Sequence, residues 1–467
     1  MHFTTVGKTG RIGGKRGGGE MKNATLTRGK IDRQLIGLAL PLLAGSLVQQ
    51  FYNTVDMMIV SRAAGDNAFA AVGVASSVMN LFFYLLVGLT LGFSILYANA
   101  YGAEDFPRLR KYCFTTGVIS VGVTLALSGG GLLFLQPILT MIQTPAELQG
   151  DCARYLSWIF AGLIFTCLYN LLAALLRAVG RTAVTLYALA AAMVCNIGLD
   201  LFLVAGLRLG VAGAAAATVS AQALSALLCG GYLFRHYPQL RLTRQDLVFQ
   251  RHLFRQSVQY GSVSALQESS LYCGKLLVQS AVNAMGPAAI TAFTAASCIE
   301  NLFLAFGNSG ADALSVFVAQ NQGARQPERV REGMRRGLRL LLVTSVALSL
   351  LLAFLRQPAL SLLISAGNSA ALQAASSYLG AMCLLYILSF WANGYQGYFR
   401  GLGRISAAFC GTLLQITLRV VFTYLFPASW GLLSVALATG LGWVVMIAFQ
   451  TCLSRRLTAR VMALRSA

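Results

Sequence analysis

Long apolar windows separated by short polar connections recur along almost the whole chain. Each can cross a hydrocarbon core of about 30 Å as about 20 helical residues. The pattern predicts twelve spans, at about 35–60, 69–100, 114–136, 152–176, 183–205, 211–234, 256–283, 288–320, 338–357, 372–399, 405–427 and 432–453. The first reads "LIGLALPLLAGSLVQQFYNTVDMMIV" and the eleventh "ISAAFCGTLLQITLRVVFTYLF". Several run long, which permits tilt. The expected fold class is an all-α polytopic membrane protein.

The charge supports this reading. A net charge of +21 could suggest nucleic acid, so the placement of the basic residues must decide. Of the 36 Lys and Arg, 30 lie in the N-terminal arm, the connections after spans two, four, six, eight and ten, and the C-terminal tail. The alternate connections hold only Arg62, Arg154, Arg208 and Arg356, while Lys275 and Arg419 lie inside spans. The positive-inside rule then places both termini in the cytoplasm and favours an even number of spans. The basic charge is topological, and nucleic acid is excluded as a partner.

Ten scattered cysteines with no CxxC pair imply neither a disulfide framework nor a zinc site. The arm "MHFTTVGKTGRIGGKRGGGE" has no apolar core of a signal peptide, and Met21 is an alternative start. Its "GKT" lacks the glycine and the preceding strand of a P-loop. His2, His236 and His252 all fall outside the spans, and no nucleophile or metal constellation appears, so neither an enzyme nor a cofactor is expected.

The chain repeats itself at an offset of about 221 residues. "ASSVMNLFF" at 75–83 matches "ASCIENLFL" at 296–304, and "YGAEDFPRLR" at 101–110 matches "QGARQPERVR" at 322–331. Gln136-Pro137 recurs as Gln357-Pro358. At an offset of 223, "NLLAALLRAVGR" at 170–181 returns as "NGYQGYFRGLGR" at 393–404. Six spans per repeat give both halves the same orientation, which predicts two six-helix lobes related by a pseudo-twofold axis along the membrane normal. Such parallel repeats are a transporter architecture, with the binding cavity near their interface. The expected organisation is a disordered basic extension at 1–30, an N-terminal lobe at 31–234, a cytoplasmic linker at 235–255, a C-terminal lobe at 256–453 and a basic cytoplasmic tail at 454–467.

Five acids lie inside spans: Asp56, Asp200, Glu268, Glu300 and Asp312. In-membrane carboxylates usually mark ion or substrate paths. Gln49, Asn53 and Asp56 in "QQFYNTVD" share one helical face, as do Asn196 and Asp200 in "NIGLD", and Thr218 with Gln222. If these faces converge, their oxygens form a small site for Na+, or a carboxylate pair able to hold a proton. The alternative is that Asn196, Thr218 and Gln222 merely bridge helices by hydrogen bonds. The repeat is asymmetric here, because Asn196 aligns with Arg419 and Asp200 with Thr423. In the other half, Glu268 and Lys275 are spaced to neutralise one another, and Arg419 is expected to partner one of the acids. Glu300 and Asp312 would line a cavity for cationic substrates. Pro41 removes a backbone donor inside the first span and favours a kink that could move Asp56.

The stretches "PLLAGSLVQQFYNTVDMMIVSRAAGDNAFAAVGVAS", "YGAEDFPRLRK", "RAVGRT", "NIGLDLFLVAGLRLGVAGAAAATVSAQ" and "VAQNQGARQPERV" together resemble the multidrug and toxic compound extrusion (MATE) family, over about residues 33–456. Within it they are most similar to the prokaryotic DinF-type branch. The resemblance implies two lobes forming a V in the bacterial cytoplasmic membrane, working as a monomer. It also implies export of organic cations or amphipathic drugs in exchange for H+ or Na+. Carried over, Asp56, Asn196, Asp200 and Thr218 match the branch's cation site, with the Ala214 carbonyl as a further ligand. Gln49 and Asn170 match polar lining positions, and Pro41 matches the proline where the first helix bends. Glu268 resembles the span-seven glutamate of the NorM-type branch, whose span-ten aspartate has no counterpart in "LLYILSFWANGYQGYF". The alternative function is a flippase for a lipid-linked saccharide, which would favour a basic cavity.

Overall fold

The computed structural model describes residues 26–365, 367–426 and 430–466, with side chains as far as Arg456. Most of the expected N-terminal extension therefore lies outside the described residues. Thirteen α-helices are present among them. The N-terminal lobe comprises α1 (Ile31–Ala64), α2 (Asp66–Gly102), α3 (Phe106–Leu133), the short α4 (Leu135–Met141), α5 (Ala146–Ala178), α6 (Thr182–Asp200) and α7 (Gly210–His236). The C-terminal lobe comprises α8 (Arg251–Asn283), α9 (Pro287–Gly323), α10 (Pro327–Leu363), α11 (Ser369–Gly401), α12 (Ile405–Leu425) and α13 (Leu432–Ser466). With α4 set aside, each lobe holds six long helices.

The helices begin where the chain offers start signals. Asp105 caps α3 by accepting from the Arg108 N–H at 3.1 Å, and Asn368 caps α11 by accepting from the Ala371 N–H at 3.2 Å. Pro107, Pro287 and Pro327 occupy first turns, where a missing N–H has no partner to lose.

Eleven of the twelve long helices are apolar and long enough to cross a membrane. The exception is α8, the expected seventh span, whose sequence carries Gln267, Glu268 and Lys275. Glu268 and Lys275 line a cavity and its small residues pack closely on α2, so its polar positions meet protein, while Leu266, Leu276 and Leu277 lie exposed on another face.

The repeat is visible as a reciprocal contact. A Cβ on Gly102 would run into the backbone of Gln320, and one on Gly323 into the backbone of Asn99. Gly323 lies 221 residues after Gly102, and Gln320 lies 221 after Asn99, so each contact is the image of the other. The pseudo-twofold axis passes between α2 and α9 at this crossing, where only glycine allows the backbones to meet.

The lobes are fastened together at the end that bears the start of α1 and the inter-lobe connection. The Gln320 amide accepts from the Leu26 N–H at 3.0 Å and donates to the Ala178 carbonyl at 2.6 Å. Arg329 on α10 donates to the carbonyls of Leu26 and Gly29 and to Gln34 Oε1, each at 3.0 Å. The Tyr112 hydroxyl on α3 donates to Gln256 of α8 at 2.6 Å. An apolar core that includes Leu26, Phe93, Tyr101, Phe317 and Phe399 unites both lobes here, while separate clusters fill each lobe.

Candidate functional site

Two polar regions stand out inside the apolar scaffold. The first lies in the N-terminal lobe, where α1 brings Asp56 against α6 and α7. Asp56 is 8% exposed, and Asn196 and Asp200 are wholly buried. The Asp56 and Asp200 carboxyls lie close enough to influence one another. Yet among the described residues no donor reaches Asp56 Oδ1 or either oxygen of Asp200, and both polar atoms of the Asn196 side chain are also without partners. A buried polar atom left unpaired costs about 1 to 3 kcal/mol, more when charged. A proton held by one carboxyl, or a cation between them, turns this repulsive pair into a bonded one.

Thr218 on α7 is half-buried beside the pair and accepts a hydrogen bond from the Tyr52 hydroxyl at 3.5 Å. Ala214, on the same helix, is fully buried. Tyr52 and Tyr155 both lie close enough to feel the two acids. Neither tyrosine was selected from sequence, although Tyr52 stands one helical turn before Asp56. A second feature invisible in the pattern is a π-helical turn at Leu201–Gly206, directly after Asp200. Such turns widen a helix locally and are frequent at functional sites. Pro41 lies within α1, which continues through it.

The remaining N-lobe candidates do not join the pair. Gln49 donates to Asn53 at 3.1 Å, and Asn53 is exposed. Asn170 is buried but donates to the Thr166 carbonyl of its own helix at 2.8 Å, which satisfies it locally. Gln222 is half-buried, with an unpaired Oε1. None of these four lines the cavity described next.

That cavity, of about 300 Å³, lies between the lobes. It is walled by α2 and α5 on one side and by α8, α9, α11, α12 and α13 on the other. It collects Glu268, Glu300 and Asp312 together with Lys275 and Arg419. Two further cations, Arg177 and Arg400, also line it. By their place in the sequence both belong to the basic connections after spans four and ten. The register of the repeat could have found them, since "RAVGR" and "RGLGR" superpose these two arginines.

The pairing inside differs from expectation. Arg400 is bonded to Asp312 at 3.2 Å. Glu300 instead accepts from the Tyr378 hydroxyl at 3.2 Å. Among the described residues no ion pair joins Glu268 to Lys275, and none joins Arg419 to any acid. The seven-residue spacing puts Glu268 and Lys275 on one side of α8, but two turns apart their side chains stay out of ion-pair reach. The Nε atoms of Arg177, Arg400 and Arg419 are all buried without an acceptor.

The MatE family model matches the chain twice, over residues 41–202 and 264–425, at an offset that reproduces the repeat. A probable multidrug resistance protein, YoeA, from Bacillus subtilis is 29% identical over 337 residues, covering 70% of this chain and 72% of that one. An FAD transporter from Shewanella oneidensis is 23% identical over 407 residues, covering 85% and 89%. Among solved structures, the outward-facing conformation of a multidrug resistance MATE family transporter superposes with a TM-score of 0.87 at 21% identity, covering 94% of this chain and 98% of that one.

Proposed function

Since the chain belongs to the MATE family of multidrug efflux transporters, we propose that it is a secondary antiporter that exports small molecules in exchange for H+ or Na+, with Asp56 and Asp200 as the coupling site. One observation carries the proposal: three oxygens of two neighbouring, buried carboxyls have no protein donor. Asn196 Oδ1 and the Thr218 hydroxyl extend the oxygen set. A proton satisfies this arrangement by bridging the pair. Na+ satisfies it by ligation from hard oxygens.

The basic connections support a cytoplasmic position for the fastened end of the lobes. On that reading this is the state shut to the cytoplasm, with the lobes fastened at the cytoplasmic end. In the cytoplasm-facing state, substrate binds while the aspartate pair is empty. Facing outward, the entering cation neutralises the pair, α1 and α6 repack, and substrate affinity falls. Entry of an uncompensated cation adds about 2.3 kcal/mol per charge per 100 mV of membrane potential.

The test is transport in proteoliposomes with Na+ and H+ gradients imposed separately. Gradient-driven export should be lost in Asp56→Asn and in Asp200→Asn. Undiminished coupling in both variants would remove the proposed site.

A further inference from the structure

The repeat relates Arg177 to Arg400 and, at its offset of 221, Leu91 to Asp312. All four side chains line the inter-lobe cavity. In the C-terminal lobe the arginine is neutralised by its aspartate at 3.2 Å. In the N-terminal lobe the matching position holds leucine, and Arg177 has a buried Nε without an acceptor and no ion-pair partner among the described residues. The cavity therefore holds four cationic side chains, Arg177, Lys275, Arg400 and Arg419, against three acids. Its unmet hydrogen-bonding capacity is on the donor side: no oxygen of Glu268, Glu300 or Asp312 is buried without a partner, whereas three guanidinium nitrogens are.

From this we infer that the cavity takes a small zwitterion, whose carboxylate lies against Arg177 where the second half of the repeat carries Asp312. The guanidinium offers the forked donors that carboxylates prefer. Glu268 and Glu300, elsewhere on the same wall, face the substrate's protonated amine, and Leu91, Trp443 and Met446 supply apolar contact for its body. A purely cationic compound meets the same acids but leaves Arg177 unpaired and repulsive. This inference names the substrate class of the export proposed above and rests on that reading for its physiological meaning.

The test uses the purified full-length protein in detergent, with a zwitterionic aminoxanthene carboxylate dye and its methyl ester, which is a cation of nearly the same shape. Binding is read by fluorescence anisotropy. The wild type should bind the acid about tenfold tighter than the ester, the scale of one charge-assisted contact. Arg177→Gln should bring the two affinities within about twofold of one another, and Arg177→Lys should restore part of the preference as a less well-shaped cation. Leu91→Asp, which supplies the carboxylate missing from this half, should abolish the preference with the arginine still present, while Leu91→Asn should keep it. A wild-type ratio near one, or a preference that survives both Arg177→Gln and Leu91→Asp, overturns the inference. If Arg177→Gln is not monodisperse, the contrast between Leu91→Asp and Leu91→Asn decides alone. Because binding in detergent needs no gradient, failure of ion coupling in proteoliposomes would strike the antiport proposal and leave this result standing.

Discussion

The two lobes share a backbone plan, but the aspartate site inside one lobe and the cavity between the lobes carry opposite chemical deficits. At the aspartate site the unpaired buried atoms include carboxyl oxygens of Asp56 and Asp200. In the inter-lobe cavity they are guanidinium nitrogens of Arg177, Arg400 and Arg419. The position equivalent to Asp200 is Thr423, which is also buried but donates to the Arg419 carbonyl one turn back at 2.7 Å. The second half thus closes locally what the first half leaves open. Duplication supplies symmetric places for side chains, and small departures from symmetry, leucine for aspartate or aspartate for threonine, create the unmet charges. One deficit suits a small cation and the other a carboxylate, so the proposed coupling site and the proposed substrate site fall on different surfaces of one scaffold.

The largest expected effect would break this division. Asp200→Asn keeps the shape of the side chain and removes its charge, so ion-driven export should fall about tenfold or more, the scale of one lost charged contact. If Na+ is the coupling ion, Na+ at about 100 times its dissociation constant should stabilise the wild type by about 2.7 kcal/mol in a thermal melt, with no gain in Asp200→Asn. If a proton is the coupling ion, Na+ and K+ should act alike. The comparison fails if Asp200→Asn preserves ion dependence and alters only which dyes bind, for then the two regions do one job.

A smaller effect is expected from creating a second copy of the Arg177 condition. Asp312→Asn leaves Arg400, which is 6% exposed, without its carboxylate. Breaking an enclosed ion pair from one side is destabilising, and because the Asp312 side chain is 30% exposed the loss should be about 1 to 3 kcal/mol rather than the full figure for a sealed pair. In return the variant should bind the acid dye more tightly than the wild type. Thermal melts and the same anisotropy titration check both signs. A variant that loses stability without gaining acid affinity would confine Arg400 to a structural role.

The fold was largely legible in the sequence, because spans and repeat both appear as periodic landmarks, "ASSVMNLFF" with "ASCIENLFL" above all. The candidate coupling residues were legible too, since a carboxylate in an apolar run is conspicuous. Arg177 and Arg400 were hidden for the opposite reason. They stand at the ends of α5 and α11, where basic residues are ordinary, and only packing shows that they point into a cavity. Likewise α8 reads as a weak span because its polar face meets protein rather than lipid. The unpaired state of Asn196 was beyond reach, since a sequence shows a donor's presence but not whether an acceptor comes within 3 Å or so of it.

The contrast sharpens against a carboxylate that has everything Asp200 lacks. Asp246, in the connection between the lobes, is bonded to Arg110 at 2.8 Å, to the Thr243 N–H at 2.8 Å and to the Thr243 hydroxyl at 2.6 Å. Burial alone would push its carboxyl up, but the Thr243 hydroxyl and N–H and the Arg110 guanidinium together hold it below the usual carboxylate range. A group whose folded value is lowered contributes stability that is complete above its unfolded value, about 3.9, and fades as pH falls through the folded one. The stability difference between the wild type and Asp246→Asn should therefore be flat above about pH 5 and shrink below about pH 4. Its size should be about 1 kcal/mol or less, because Arg110 retains 21% exposure and the pair is screened by solvent. Melts across that pH range, at low and high salt, measure it. A difference that grows on acidification would mean that Asp246 is bonded as a protonated acid, and would erase the distinction between a carboxylate held by donors and a pair that waits for a cation.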